Sequence, residues 1–251
     1  MEETFTFADL LRLIDERSSA FVAAVAAAPS LDAQVPTCPE WTLFDLVQHL
    51  GQGRRAWAAT VAAGPADAKA APDDPTAPQD REALLAWMTA STQQLVDALR
   101  AAGPDRGCWT WWGDSQSPST TGAVARHQLQ EIALHTYDAQ LTATGSAALV
   151  DEIALDGVDE FLHTCNATTS PWPHEPAVLD YHVTEGRSGR LRFSAAGAQV
   201  ARLTTPAIAA DTSTTSTAAE LLLAMYGRIP VAALKVDGNM QVLDQLVAWE
   251  P

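Results

Sequence analysis

The chain has 251 residues, of which 47% are hydrophobic and 18% are charged, and its formal net charge is −16. This length suits one large domain or two modest ones, with enough core to fold without disulfides or a structural metal. The acidic balance argues against nucleic acid or an anionic membrane as a partner, because both need clustered Lys and Arg.

The cysteines and the chain start indicate a reducing compartment. Cys38, Cys108 and Cys165 are odd in number and widely spaced, with no C-x-x-C pair, so a disulfide framework is not expected. The first residues are acidic and lack the basic and apolar regions of a signal peptide. No run of about 18 apolar residues indicates a transmembrane helix. We therefore expect a cytoplasmic protein.

The first two-thirds of the chain carries apolar residues at helical spacing, bounded by capping residues, Gly or Pro. Thr42, with Asp45 three residues later, forms a variant of the capping box. Four or five helices joined in this way predict an up-and-down helical bundle. The predicted helices are Phe7 to Ala27, Thr42 to about Ala63, Asp80 to about Ala102, Thr120 or Thr121 to Gly145, and Asp151 to about His163.

The segments between these helices differ in character. Leu31 to Glu40 contains two prolines and is predicted to be an extended loop. Residues 64–78 are rich in Ala, Pro and Asp and are predicted to be a linker. Residues 103–120 form a long loop whose aromatic rings either cover the core or serve a functional role. Those rings belong to Trp109, Trp111 and Trp112.

After Ser170 the pattern changes to short alternating apolar and polar runs separated by glycine-containing turns, which predicts strands. The predicted strands are Ala177 to Thr184, Arg190 to Ala195, Gln199 to Thr205 and Ala207 to Asp211, with a further extended segment over Ala233 to Val236. The predicted helices start at Thr215 or Ser216, ending at Tyr226, and at Asn239, ending at Trp249. The chain is therefore predicted to be an α+β protein with two domains. Residues 1–168 form a helical bundle, and residues 175–251 form a small antiparallel sheet with packed helices.

Glu131 and His135 are candidates for two ligands of one divalent metal. They are four residues apart on the fourth predicted helix, so their side chains lie on one face about one turn apart. Zinc at a catalytic site takes three protein ligands, with His nitrogen or carboxylate oxygen at about 2 Å. His127 lies on the same stripe, but its Cα is about 12 Å from that of His135 along the helix axis. This separation argues against His127 as the third ligand.

The third ligand is expected from another helix, and His49 is the best candidate. It is the only histidine of the second predicted helix and shares that helix's apolar side. Neighbouring helix axes about 8–10 Å apart would bring it opposite Glu131 and His135. Asp138 is placed to accept a hydrogen bond from the other ring nitrogen of His135 and fix its tautomer. The alternatives stay open: His49 as a hydrogen-bonded core residue, Asp138 as a solvated helix residue, and His127 as a surface or channel-lining residue.

Residues 35–50, VPTCPEWTLFDLVQHL, resemble the signature of the mycothiol-dependent maleylpyruvate isomerase family, approximately V-P-x-C-P-x-W-x-x-x-D-L-x-x-H-L. The spacing Glu131-x-x-x-His135-x-x-Asp138 is similar to the family's second metal segment. Residues 218–228 and 236–239 resemble its small C-terminal domain. Glu40 departs from the family at one of the positions written x, where Gly is usual.

The resemblance implies a DinB-like N-terminal bundle followed by a small α+β domain. It implies a divalent metal, with zinc first, on His49, Glu131 and His135, and mycothiol as cofactor or co-substrate. Arg228 matches an arginine of the family's C-terminal domain. This match implies a catalytic role in anchoring a substrate carboxylate or stabilising an enolate. The alternative is an exposed arginine favoured just after a helix end.

Together these features predict a metal-dependent enzyme that activates mycothiol as a thiolate. A coordinating thiol loses its proton, and the thiolate is the nucleophile. Its addition to a small electrophile would lead to transfer or to isomerisation. One alternative is a metal hydrolase that activates water. Another is a non-catalytic regulatory protein that binds a metal or a thiol. The expected partners are a small electrophile and a low-molecular-weight thiol, with the protein a monomer or homodimer.

Overall fold

The computed structural model describes residues 5–72, 76–203 and 209–249. The chain divides into two compact units. One comprises Met1–Trp111 and Ser119–Leu149, and the other comprises Trp112–Pro118 and Val150–Pro251. The sequence-based limits, 1–168 and 175–251, stay a prediction for independently folding domains. Within the described ranges, no helix is both long enough and apolar enough to cross a membrane.

The first unit is built on four long helices whose starts are fixed by side-chain caps. Thr42 accepts a hydrogen bond from the backbone N–H of Asp45, and the Asp45 carboxylate accepts one from the backbone N–H of Thr42. This reciprocal capping box confirms the predicted start of the second helix. The four helices are α1 (Phe7–Ala27), α2 (Leu43–Ala63), α3 (Arg81–Ala102) and α4 (Thr121–Thr144).

Helix α1 packs mainly on α4, and α2 packs mainly on α3, while α2 also contacts α4. The core between them is made of fully buried apolar side chains, including Phe21, Leu46 and Leu129. Gly51 allows the Trp87 ring of α3 to pack directly on the backbone of α2, because a Cβ there would lie 1.9 Å from Cζ3 of Trp87. A larger residue at this position would therefore displace the indole ring or separate the two helices.

A small hairpin joins α1 to α2. Its strands are β1 (Gln34–Val35) and β2 (Cys38–Thr42), paired antiparallel with Gln34 opposite Thr42. The Gln34 side-chain amide donates to the backbone carbonyls of Pro39 at 2.5 Å and Trp41 at 2.8 Å. The prediction of a loop over this region is therefore wrong for these residues. A proline is compatible with an edge strand because it need not donate to a neighbouring strand.

The second unit is α+β, as predicted, but its sheet is mixed. The strand order is β5-β4-β3-β6-β7, and β3 runs parallel to β6 while the other neighbours are antiparallel. The prediction of an antiparallel sheet is corrected on this point, because the chain returns from β5 to the far side of β3. The strands are β3 (Ala177–Val183), β4 (Ser188–Ser194), β5 (Gly197–Arg202), β6 (Thr212–Ser216) and β7 (Lys235–Gly238).

In the described part of this unit, three α-helices accompany the sheet. α5 (Asp151–Phe161) continues into a π-helical turn over Leu162–Asn166 and contacts α6 (Ala218–Met225). α7 (Met240–Ala248) begins after its N-cap Asn239, as predicted.

Residues 212–216 depart from the sequence interpretation. The predicted helix start at Thr215 or Ser216 is wrong, because both residues belong to β6. Thr217 is the actual N-cap of α6 and forms a capping box with Glu220. The predicted strand over Ala207 to Asp211 and the predicted end of the preceding strand at Thr205 include residues 204–208, which lie outside the described residues.

Candidate metal centre

Helix α4 places Glu131 and His135 one turn apart. Thr120 caps its start by accepting from the backbone N–H of Ala123, and Gly145 ends it with a left-handed backbone at φ 75°. Most of the helix is buried although it is rich in polar groups. Its buried polar side chains are those of Thr121, Arg126, His127, Gln128, Gln130, His135, Thr136 and Asp138. Burying so many polar groups is costly unless they are partnered, which makes this helix the natural location for a functional site.

The structure brings His49, on α2, next to the two candidate ligands of α4. Nε2 of His49 lies 3.9 Å from Oε2 of Glu131, and Nε2 of His135 lies 3.6 Å from the same oxygen. One ligand atom from each of the three residues lies within 4.8 Å of the other two. Among the described residues, this is the cluster of three or more His, Cys, Asp or Glu that is arranged to hold a metal ion.

The chemistry of this cluster suits a divalent ion. Two imidazole nitrogens and one carboxylate oxygen match the three-ligand set of catalytic zinc sites. Ligands about 2 Å from a tetrahedral ion are roughly 3.3 Å apart, so the observed separations need only small side-chain rotations. The His49 side chain is 46% exposed, that of Glu131 27% and that of His135 8%. His49 therefore lies at the open side of the cluster and not on the core-facing side that the sequence predicted.

Asp138 fixes the orientation of His135. Its Oδ2 lies 2.9 Å from Nδ1 of His135, and its Oδ1 accepts from the Thr37 hydroxyl at 2.6 Å. An ionised carboxylate only accepts hydrogen bonds, so Nδ1 of His135 donates to it and Nε2 is the ring nitrogen directed at Glu131. Asp138 therefore contacts the other ring nitrogen of His135, and its role in supporting a metal ligand stays a prediction.

Glu131 is held as an anion by the rings around it. Burial alone would raise its pKa, but the interactions of the carboxylate with the imidazoles of His49, His135 and His127 outweigh this effect. The pKa of Glu131 is thereby lowered to about 2. Nε2 of His127 lies 3.9 Å from Oε1, the oxygen that does not face His49 and His135. His127 is therefore buried beside the cluster. The alternative in which it is a surface residue is wrong.

Arg228, the residue predicted to be catalytic, lies in the second unit. It is half-buried, and its Nη1 donates to the backbone carbonyl of Tyr226 at 2.8 Å. It lines a cavity of about 650 Å³ whose walls are mostly apolar and come from α5, α6, α7 and the segments that join them. Its catalytic role stays a prediction.

The tryptophans of the long loop have separate environments. Trp111 is 48% exposed, and its ring lies edge-on to that of His127 with 5.6 Å between centroids. Trp109 lies 6.1 Å from the ring of Trp57 on α2. Trp112 is buried and donates its indole N–H to the Pro118 carbonyl at 3.2 Å. One ring of this loop thus contacts a residue next to the candidate site.

Arg54, on α2, is a buried charge that sequence reasoning missed. It is 1% exposed, and its Nη1 donates to Oγ of Ser18 at 2.7 Å and to the Thr92 hydroxyl. Burial lowers its pKa to about 9, opposed by the charges of Glu131 and Asp15. Arginine is almost always exposed unless it is paired, so an apolar-periodicity pattern gives no signal for such a residue.

Comparisons with known proteins agree with one another. Residues 11–140 match the family model described as mycothiol maleylpyruvate isomerase N-terminal domain, and residues 152–245 match the corresponding C-terminal domain model. A solved structure of a histidine-to-alanine mutant of mycothiol-dependent maleylpyruvate isomerase has a TM-score of 0.61 at 12% identity, covering 91% of this chain and 93% of its own. Another structure of mycothiol-dependent maleylpyruvate isomerase has a TM-score of 0.58 at 14% identity, covering 92% and 94%. No curated protein sequence matches the chain.

Proposed function

The chain belongs to the mycothiol maleylpyruvate isomerase family, and we propose that it is an enzyme that uses mycothiol on a small electrophilic substrate. The reaction is either isomerisation through a transient thiol adduct or transfer of the thiol. The observation that carries the proposal is the convergence of His49, Glu131 and His135, from two helices, within 4.8 Å. The family resemblance noted in the sequence, including its signature around His49, is consistent with this membership.

We propose that these three residues hold a divalent metal ion, with zinc as the first candidate. Zinc is bound by imidazole and carboxylate groups, and so are several other first-row metals, so the donor set alone does not select one. When bound, such an ion supplies a positive charge that favours the deprotonated form of a coordinating thiol at neutral pH.

The protein side chains have defined parts in this proposal. Glu131 contributes the negative charge of the site, because its pKa is about 2. Asp138 keeps Nε2 of His135 available by accepting from Nδ1 at 2.9 Å. The exposed His49 leaves one side of the cluster accessible to a thiol. Arg228 is proposed to anchor a substrate carboxylate, since a guanidinium binds carboxylates through paired, charge-assisted hydrogen bonds.

Metal analysis of ligand variants tests the proposed centre. The protein is purified, dialysed against zinc and assayed for bound metal beside His49→Ala and Glu131→Gln. We expect about one equivalent in the wild type and a loss of affinity of at least tenfold in each variant, because two ligands hold a zinc ion far less tightly than three. His174→Ala is the matched control, since His174 is also exposed and its ring lies 4.9 Å from that of Trp172. Equal zinc retention in all four proteins would contradict the proposed centre.

Turnover assays with and without mycothiol distinguish the candidate functions. Wild-type protein loaded with zinc is incubated with maleylpyruvate and with simple α,β-unsaturated carbonyl compounds. The proposal expects product only when mycothiol is present, and much less product from Arg228→Lys, which cannot form the paired contact. Turnover that is equal without the thiol would favour hydrolysis by activated water, and bound metal without turnover would favour a regulatory protein.

A further inference from the structure

The β1–β2 hairpin extends two side chains to the candidate metal centre, and neither is one of the proposed ligands. Thr37, in the turn of the hairpin, donates to Asp138. Trp41, at the end of β2, places its indole ring against the rings of His49 and His135. Both residues precede α2, and the hairpin, α2 and α4 belong to the same compact unit.

Thr37 completes a chain of hydrogen bonds that ends at a proposed ligand. Its hydroxyl donates to Oδ1 of Asp138 at 2.6 Å, while Oδ2 of the same carboxylate lies 2.9 Å from Nδ1 of His135. The Asp138 side chain is fully buried, so water does not replace a lost partner easily. Because each oxygen has a partner, the carboxylate plane is fixed, and this plane in turn fixes the imidazole of His135.

Trp41 restrains the other proposed histidine ligand. Its ring centroid is 4.7 Å from that of His49 and 6.1 Å from that of His135, and the two imidazoles lie edge-on at 5.3 Å. The His49 side chain is 46% exposed, so an unrestrained ring would populate other rotamers. Packing against the indole favours the rotamer in which Nε2 faces Glu131.

The backbone of Trp41 is itself held in place on both sides. The Gln34 amide donates to the Trp41 carbonyl at 2.8 Å, and the next residue, Thr42, is the N-cap of α2. The indole therefore has a fixed base from which to contact His49, which lies less than two turns into the same helix.

We propose that the β1–β2 hairpin is a positioning element of the metal centre. Thr37 orients His135 through Asp138, and Trp41 holds His49 in its ligating rotamer, so that the three donor atoms are preorganised before the metal binds. The inference rests on the proposed function, since it takes His49, Glu131 and His135 as the ligands. Groups that orient metal ligands from behind affect metal affinity by about 10–100-fold when they are removed.

Thr37 is tested with a pair of near-isosteric substitutions. Thr37→Val removes the hydroxyl group and keeps the shape of the side chain, whereas Thr37→Ser keeps the hydroxyl group and removes the methyl group. Zinc affinity is measured by competition with a chromophoric chelator, a readout independent of turnover. We expect Thr37→Val to bind about tenfold more weakly and Thr37→Ser to bind within about twofold of the wild type. Thr110→Val is the control, because it removes a hydroxyl that lies 2.7 Å from Oγ of Ser119.

Trp41 is tested with Trp41→Ala and Trp41→Phe. We expect zinc affinity to fall about tenfold in the alanine variant and less in the phenylalanine variant, which keeps an aromatic face for His49. The visible absorption of the cobalt-substituted protein should change in the same order, because it reports the ligand geometry. Trp109→Ala is the control, since Trp109 contacts Trp57 instead of the site. If Trp41→Ala fails to fold, Trp41→Phe and the Thr37 pair carry the test.

The outcomes separate this inference from the proposed function. If His49→Ala loses zinc while Thr37→Val and Trp41→Ala bind it as the wild type does, the hairpin has no positioning role and the metal centre stands. If His49→Ala and the wild type retain zinc equally, the proposed centre is wrong and the inference falls with it. If Thr37→Ser binds as weakly as Thr37→Val, the hydroxyl is not responsible and the Thr37 part is overturned.

Discussion

The carboxylate of Glu131 supplies the negative charge around which the imidazoles of the site are arranged. Its Oε2 is shared by His49 and His135, and its Oε1 faces His127. Its pKa of about 2 lies well below the ordinary value of 4.5. A group with a depressed pKa in the folded state stabilises the protein above its unfolded pKa and loses that contribution as the pH falls through the folded pKa.

This linkage predicts how the metal-free protein responds to acid. Between pH 7 and about 4.5 the contribution of Glu131 is fully present, and it declines between about 4.5 and 2. We expect Glu131→Gln to remove on the order of 2 kcal/mol of the stability lost over that window. The measurement is the free energy of unfolding of wild type and Glu131→Gln in urea at pH 6, 4 and 3, with a chelator present. Glu82→Gln, at an exposed position in the first turn of α3, is the control. A parallel pH dependence in wild type and Glu131→Gln would contradict the prediction.

The three-residue cluster could be predicted from sequence, but its surroundings could not. Glu131 and His135 follow from the helical period, and His49 follows from being the only histidine of its helix. Thr37 gives no comparable signal, and Trp41 stands out only as a position of the family signature. The contacts of both residues depend on how the hairpin folds back toward α4. The buried Arg54 was missed since its burial depends on hydroxyl groups from two other helices, those of Ser18 and Thr92.

At the level of the helices, the close contact between α2 and α3 depends on the absence of a side chain at Gly51. A Cβ at Gly51 would lie 1.9 Å from a ring carbon of Trp87, whereas one at Gly53 would meet nothing within 4 Å. The two glycines lie in the same helix, so they share backbone propensity and differ in what surrounds them.

Alanine at these two positions should have opposite effects on stability. We expect Gly51→Ala to destabilise the protein by about 1–3 kcal/mol, because the core must shift to admit the methyl group. Gly53→Ala should stabilise it by up to about 1 kcal/mol through the higher helix propensity of alanine. Chemical denaturation of both variants against the wild type provides the measurement. Equal changes in both would show that backbone propensity, and not the Trp87 contact, dominates at Gly51.

Capping residues made the start of α2 predictable. A run of Thr and Ser without apolar alternation concealed one strand, β6. Thr42 with Asp45 gave the start of α2 correctly, because the pattern is the physical cause of the helix start. Residues 212–216 read Thr-Ser-Thr-Thr-Ser, so no apolar alternation indicates a strand there. Thr212 and Thr214 are nevertheless buried in the sheet. The two residues that follow them, Thr215 and Ser216, carry the hydroxyl groups that resemble a capping signal, although both belong to β6.

At the scale of the whole molecule, the excess of acidic groups opposes compaction. The formal net charge is −16, from 31 Asp and Glu against 15 Lys and Arg. Like charges repel over the Debye length, which is about 30 Å at 0.01 M salt and about 8 Å at 0.15 M. Added salt should therefore stabilise the folded state.

We expect the melting temperature of metal-free protein at pH 7.5 to rise between 0.01 and 0.5 M NaCl. A gain of about 1 kcal/mol corresponds to about 2–4 °C for a chain of this size. Differential scanning calorimetry with a chelator present measures the melting temperature at each salt concentration. Near pH 4.5, the isoelectric point of the sequence, the effect should largely disappear because the net charge is then close to zero. A salt effect of the same size at both pH values would show that it does not arise from net charge.

The hydrogen bond from Thr37 to Asp138 joins residues that are far apart in sequence, and this separation determines when the site can assemble during protein synthesis. The two residues are 101 positions apart in the chain. At about 5–20 residues per second, a ribosome needs roughly 5–20 s to pass from one to the other. From the synthesis of His49 until that of Glu131, the nascent chain contains the hairpin and His49 but neither of the proposed ligands on α4. A lone exposed imidazole is a weak ligand, so the growing chain would not hold an ion firmly at the proposed centre until α4 has been made. The proposed centre would thus acquire its ion only after most of the bundle has been made.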